Sequence, residues 1–189
     1  MLTDFIELVS EIFPSIDPET ATRCLSQISH RSFDDNQLFS TRKFEYLAQG
    51  DVMAPVKFVT TDEDGGELEY TGPGMLLSNT CDAEHEEHVV FAACYPYNLF
   101  RELSTVDEAS LRSNCIFNLL YLPLLGIDGK GLVVDLSLIQ SHSRAFISGS
   151  LLQGRLTKVS SLSQLGFYLF LAKVTIHLMR PEPADVVRK

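Results

Sequence analysis

The sequence predicts an α+β protein: a small closed antiparallel β-barrel with helices before it and one helix after it. Three observations lead there. Apolar residues recur at helical spacing near the start, the period turns extended from Gln49 onward, and a helical apolar face returns after Ser160. With 189 residues and 45% apolar content, the chain is long enough for one buried core.

Phe5, Ile6, Leu8, Val9, Ile12 and Phe13 keep a helical period between a Thr3 cap and Pro14. A second helix starts at Asp17, with Pro18 and Glu19 behind it, and runs to about Ile28. These helices form an N-terminal extension over residues 1–48. Val52 to Thr60 reads as a strand, and the Gly-Gly and charges of residues 61–67 read as a hairpin loop. Leu68 to Thr71 and Met75 to Asn79 read as two short strands broken by Gly72-Pro73-Gly74. His88 to Tyr95 is an apolar run of the length of a core strand.

Residues 98–113 read as helical turns, with Thr105 and Glu108 at capping-box spacing. Ile116 to Leu122 reads as extended, residues 126–131 as a turn, and Leu132 to Gln140 as a strand. Ser160 is the expected cap of a last helix over about 161–179. Its Leu162, Leu165, Tyr168, Leu169, Ala172 and Ile176 make one apolar face, suited to the core or a dimer seam. The barrel domain is thus expected over 49–180, with an insertion near 96–130, and Pro181 and Pro183 open a C-terminal tail over 181–189.

The net charge of −10 hides an asymmetry: residues 1–111 carry 6 Lys/Arg against 21 Asp/Glu, and residues 112–189 carry 9 against 4. An acidic balance opposes general nucleic-acid binding, because neutralising phosphates with Lys and Arg supplies most of that affinity. A local basic face from the second half is compatible with it. No apolar run approaches the roughly 20 residues that span a bilayer. The start lacks the pattern of a secretory signal, so a cytoplasmic protein without membrane contact is expected. Cys24, Cys81, Cys94 and Cys115 lack the short spacing of structural zinc and read as buried free thiols.

Several stretches resemble the PemK/MazF family of toxins. Residues 49–58, Gln-Gly-Asp-Val-Met-Ala-Pro-Val-Lys-Phe, resemble that family's opening strand, and residues 72–79, Gly-Pro-Gly-Met-Leu-Leu-Ser-Asn, resemble its Arg-Pro signature and following strand. Val89 to Cys94 is similar to its central strand. Val133 to Arg144, followed by Arg155-Leu156 and Ser160 to Ser163, is similar to its Val-Asp strand and its entry to a terminal helix. The resemblance covers residues 49–178. It implies a compact barrel of the PemK/MazF type, usually dimeric, that cuts single-stranded RNA without a metal and is silenced by an antitoxin protein. The family's catalytic arginine falls on Gly72, and its hydroxyl after the central strand falls on Tyr95-Pro96. The guanidinium that would offset charge on the scissile phosphate is therefore missing.

Two functions follow. The first is a toxin-antitoxin-like binding or regulatory module that has lost the cutting residues and pairs with a partner protein, antitoxin-like or other, with homodimerisation possible. The second is a metal-independent endoribonuclease with Thr71, His142 and Arg144 as replacement groups; RNA is disfavoured by the charge. Asn79, Thr80, Cys81 and Asp82 are candidates to line a recognition pocket. His142, Arg144, Arg155 and Lys158 are candidates to bind phosphate or an acidic surface. Cys81 with His85 or His88 is an alternative nucleophile and base pair, and Cys81, His85 and His88 an alternative zinc set lacking a fourth ligand. Tyr95, Tyr97 and Tyr121 fit core packing better than a cleft. No phosphate loop, dinucleotide fingerprint or paired catalytic carboxylates are present, and no cofactor is expected.

Overall fold

A computed structural model describes residues 18–30, 34–123, 125 and 129–179. The expected helix of residues 3–13 and the tail of 181–189 lie outside the described residues, as do residues 126–128 of the 126–131 turn. Helix α1 (Pro18–His30) and a 3-10 turn (Asp35–Leu38) precede strands β1 (Val52–Thr61) and β2 (Glu67–Leu76). Then come α2 (Thr80–His85), β3 (His88–Pro96), α3 (Tyr97–Leu103), α4 (Glu108–Arg112), β4 (Leu119–Leu122), β5 (Leu132–Ser143), α5 (Arg144–Leu152), β6 (Thr157–Ser160) and α6 (Gln164–Met179).

The strands form one antiparallel sheet in the order β4-β5-β3-β2-β1-β6. The expected α+β composition and antiparallel pairing are present, but the closed barrel is not: β4 and β6 end the sheet on opposite sides with no ladder between them. Side chains cover the two edges instead, which removes the drive for strand pairing there. At the β4 edge, Asn114 stands at φ 56° and its amide serves as a surrogate strand. Its Nδ2 donates to the Tyr121 carbonyl at 3.1 Å, and its Oδ1 accepts from the Tyr121 N–H at 2.6 Å. At the β6 edge, Lys43 Nζ donates to the Lys158 carbonyl at 2.7 Å. The sheet curls all the same, because the Val59 N–H of β1 reaches Gln140 Oε1 of β5 at 2.8 Å across the two strands that separate them.

β3 occupies the centre as its apolar run predicts, with Phe91, Ala92, Ala93 and Cys94 all sealed from solvent. The two short strands expected around Gly72-Pro73-Gly74 are one continuous β2. The β1–β2 register shifts between Met53 and Val56, opposite Pro73. Pro55 and Pro73, both without an N–H, therefore share the irregular stretch and the strand survives them. The hairpin turn is built by Asp62, whose Oδ1 accepts from the N–H groups of Asp64 and Gly66 at 3.0 and 2.6 Å.

α6 and α1 lie on the same core. Ala21, Cys24 and Leu25 of α1 join Leu165, Leu169 and Phe170 of α6 in the cluster that also holds Val134 and Leu136 of β5. The N-terminal helix α1 thus docks on its own chain. Helix α6 begins later than expected, and its cap is Ser163, whose Oγ accepts from the Gly166 N–H at 3.2 Å, not Ser160, which ends β6. Gly166 lets the 3-10 turn approach, since a Cβ there would stand 2.1 Å from the Leu38 carbonyl oxygen. Ile176, expected on the apolar face, is exposed. The face carries a cation unannounced by the pattern: Lys173 is buried and donates to the carbonyls of Asn114 and Ile116, and burial pushes its amine down to about 8.

The charged stretch after Asn79 is the short helix α2, capped by Asn79. Two further expectations change. Helix α4 is capped by Asp107, whose Oδ2 accepts from the Ser110 N–H at 2.8 Å, in place of Thr105. Cys24 and Cys94 are buried as expected, but Cys81 and Cys115 are exposed. Tyr97 and Tyr121 pack with Phe100, Leu111 and Val133 in a core cluster under α3 and α4. Among the described residues no helix is long and apolar enough to cross a membrane.

Candidate functional site

The sequence scatters its candidate groups over four segments, and the curl of the sheet decides which of them meet. Lys57 and Thr71 are register partners on β1 and β2 and share one face. β5 supplies His142, whose ring packs on Phe58, and α5, which follows β5 without a loop, supplies Phe146, Ile147 and Ser150. Arg155 and Leu156 complete the wall, and together with Pro55 and Val56 these residues line a cleft of about 170 Å³. Its lining contains two cations, a histidine and two hydroxyls, and no carboxylate. On a chain of net charge −10 this is the informative contrast.

Helix α5 is not announced by the periodicity, and it supplies three of the lining residues, Phe146, Ile147 and Ser150. Its start is fixed by Ser143, whose Oγ accepts from the Phe146 N–H at 3.5 Å. At its other end the Ser150 carbonyl accepts from the N–H groups of Arg155 and Leu156 at 2.9 and 3.1 Å, so the turn that presents Arg155 is held by the backbone.

His142 stands edge-on between two rings, with centroids 5.9 Å from Phe58 and 5.7 Å from Phe91. Its Nε2 is shut away from solvent and has no hydrogen-bond partner among the described residues. Burial lowers the imidazole below its ordinary value, because nothing nearby compensates the charge of the protonated ring. The Arg155 guanidinium pairs with no carboxylate among the described residues and lies 6.0 Å from the centroid of the Phe146 ring. Lys57 is bound to Glu69 at 2.6 Å, but both side chains are more than half exposed, so the pair is weak and exchangeable.

The other predicted residues lie elsewhere and have structural employment. Arg144 turns away from the cleft, its Nε donating to the Glu86 carbonyl at 2.6 Å. Lys158 is spent: its Nζ meets Asp51 Oδ2 at 2.6 Å and also donates to the carbonyls of Phe44 and Tyr46, at 2.7 and 2.5 Å. Asp51 itself has no exposed surface and accepts further from the Ala48 N–H at 2.8 Å and the Ser161 hydroxyl at 2.6 Å. This node ties the entry of β1 to β6 and to the segment before it.

Asn79 to Asp82 form the first turn of α2. Asn79 Oδ1 accepts from the Cys81 N–H at 2.9 Å, and Thr80 Oγ1 accepts from the Gln49 N–H at 3.1 Å. None of Asn79, Thr80, Cys81 and Asp82 lines the cleft between β1–β2 and α5. Among the same residues no group of three His, Cys, Asp or Glu side chains stands close enough to hold a metal, Cys81, His85 and His88 included.

The position where the resemblance would put an arginine is filled from within. Tyr70 folds over Gly72 and donates from its hydroxyl to the Cys94 carbonyl at 2.6 Å. A Cβ on residue 72 would stand 2.1 Å from that hydroxyl. Burial pushes the phenol well above its ordinary range, so it stays protonated and keeps the bond. Its ring also packs on Tyr95, at 4.7 Å between centroids. No protein-family model matches the chain, and neither does any curated protein.

Proposed function

We propose that this chain is a binding module that holds a phosphate-bearing strand, single-stranded RNA by the chemistry of the resemblance, in the cleft between β1–β2 and α5. The observation that carries the reading is a carboxylate-free lining with Lys57, Arg155, Thr71 and Ser150 on an otherwise acidic chain. Guanidinium and ammonium groups with hydroxyls beside them are the donor set that phosphate oxygens take. Binding is favoured over cutting for two reasons. Tyr70 fills the space that a catalytic guanidinium would need at residue 72, and the covered Nε2 of His142 has no open path to a ribose hydroxyl.

The second reading is the metal-independent endoribonuclease, favoured by the meeting of Thr71 and His142 in one cleft. In it His142, neutral because burial lowers its affinity for protons, would take the proton of a 2′-hydroxyl while Arg155 offsets charge on the phosphorane. A labelled single-stranded RNA incubated with the protein in chelator separates the two. Retarded but intact RNA, with retardation lost in Arg155→Ala, supports the binding module. Cleavage that disappears in His142→Ala supports the enzyme. Neither retardation nor cleavage at low salt removes both.

A further inference from the structure

Phe146 is 60% exposed, on the rim of the cleft. A lone exposed phenylalanine needs no explanation, since folded proteins show many apolar side chains to water. Three facts set this one apart. Its place is fixed by a capped helix start rather than by a loop, as the Ser143 bond shows. The Arg155 guanidinium stands over one face of its ring, 6.0 Å from the centroid, which leaves the other face for a planar ligand. The cleft below it, at about 170 Å³, is smaller than the roughly 300 Å³ at which sites for whole drug-sized ligands begin.

A phosphoryl group and part of a sugar fill such a volume, and whatever they carry is left outside, at the rim. We infer that Phe146 is the specificity-determining residue of the cleft: with phosphate held below by Arg155 and Lys57, an attached nucleobase stacks on the exposed Phe146 ring. The inference rests on the reading of the cleft as a phosphate site and narrows its ligand to a nucleoside monophosphate unit, free or within a strand. Every base has a π-face, so this platform favours bases over no base without choosing strongly among them. Arg155 serves twice, contributing charge to the phosphate and a flat cation over the ring face opposite the base.

The chain contains no tryptophan, which makes the test clean. Calorimetric titrations with AMP, ribose 5-phosphate and inorganic phosphate are run on the wild type, Phe146→Leu and Phe146→Trp. AMP is expected to bind about tenfold more tightly than ribose 5-phosphate, the worth of one stacked base. Phe146→Leu loses that preference while keeping its affinity for ribose 5-phosphate. Phe146→Trp keeps it, and AMP quenches the single indole. A pentameric oligoadenylate binding more tightly than AMP assigns the unit to a strand, and equal affinities assign it to a free nucleotide; both keep the inference only if the preference falls in Phe146→Leu.

Equal binding of AMP and ribose 5-phosphate by the wild type overturns the inference and leaves the phosphate cleft standing. Failure of all three probes overturns the cleft and the inference with it. A concentration-dependent dimer abolished by Phe146→Leu, without any base preference, overturns it in favour of a self-association anchor.

Discussion

Arg155 and Lys158 are near neighbours in sequence and equal candidates on composition, yet the fold assigns them to opposite tasks. Lys158 is sunk against a fully buried Asp51, with its donors taken by one carboxylate and two carbonyls. Arg155 stands in water at a cleft with no carboxylate to answer it. A charge whose partners are all internal belongs to folding, and one left unanswered beside a concave surface is available to a ligand. The two sites therefore predict opposite phenotypes.

The largest effect is expected at the buried node. Lys158→Met removes the cation from the fully buried Asp51, at a cost of about 3–5 kcal/mol for breaking a buried pair. Denaturant unfolding should show that loss, while the folded fraction still binds RNA; a loss under about 1 kcal/mol would erase the contrast. Gly72→Ala comes next, because the new methyl displaces the Tyr70 hydroxyl from the Cys94 carbonyl. It should lower stability by about 1–3 kcal/mol, and adding Tyr70→Phe to it should cost little more, since the bond is already gone.

Arg155→Ala should leave the unfolding midpoint in place and weaken RNA binding about tenfold, as expected for one charge-assisted contact. The salt dependence of binding should become shallower in the same variant.

The smallest effect is the pH response of His142. Its folded form holds protons less well than the unfolded chain, whose imidazole titrates near 6.5. The contribution of the neutral ring is therefore fully present above that pH and is lost as the pH falls through it. Unfolding at pH 7.5 and pH 5.5 should show this slope, and His142→Gln should flatten it. A bound phosphate raises the affinity of the ring for protons, so ligand binding should tighten over the same fall in pH.

Much of the fold was legible, and the part that was not explains why the cleft was missed. The run of apolar residues through β3 and the helical period of α1 and α6 are local signals, and each element lies close to its expected place. Closure of a barrel is not local. It depends on what covers β4 and β6, and the cover comes from single side chains, Asn114 and Lys43, that no period reveals. Helix α5 was hidden because Ser148-Gly149-Ser150 are weak helix formers, leaving only the Ser143 cap as a signal.

The stretch Cys81 to His88 stands out by composition, but it folds into helix α2 and the turn after it, and its backbone makes the bonds: the Cys81 N–H donates to Asn79 and the Glu86 carbonyl accepts from Arg144. Thr71, His142 and Arg155 were found as candidates, yet their meeting depends on the curl of the sheet. Lys57 and Phe146 are not legible as site residues, since a lysine in a strand and a phenylalanine in the short apolar stretch Ala145-Phe146-Ile147 carry no pattern of their own.

The central claim is that the carboxylate-free cleft, and no other surface, receives the ligand. Isotope-labelled protein titrated with a short oligouridylate tests it most directly. The account predicts that signals of Thr71, His142, Phe146 and Arg155 move together while those of Asn79 to Asp82 stay in place. Movement confined to Asn79–Asp82, or binding that leaves Arg155 and His142 undisturbed, would contradict it.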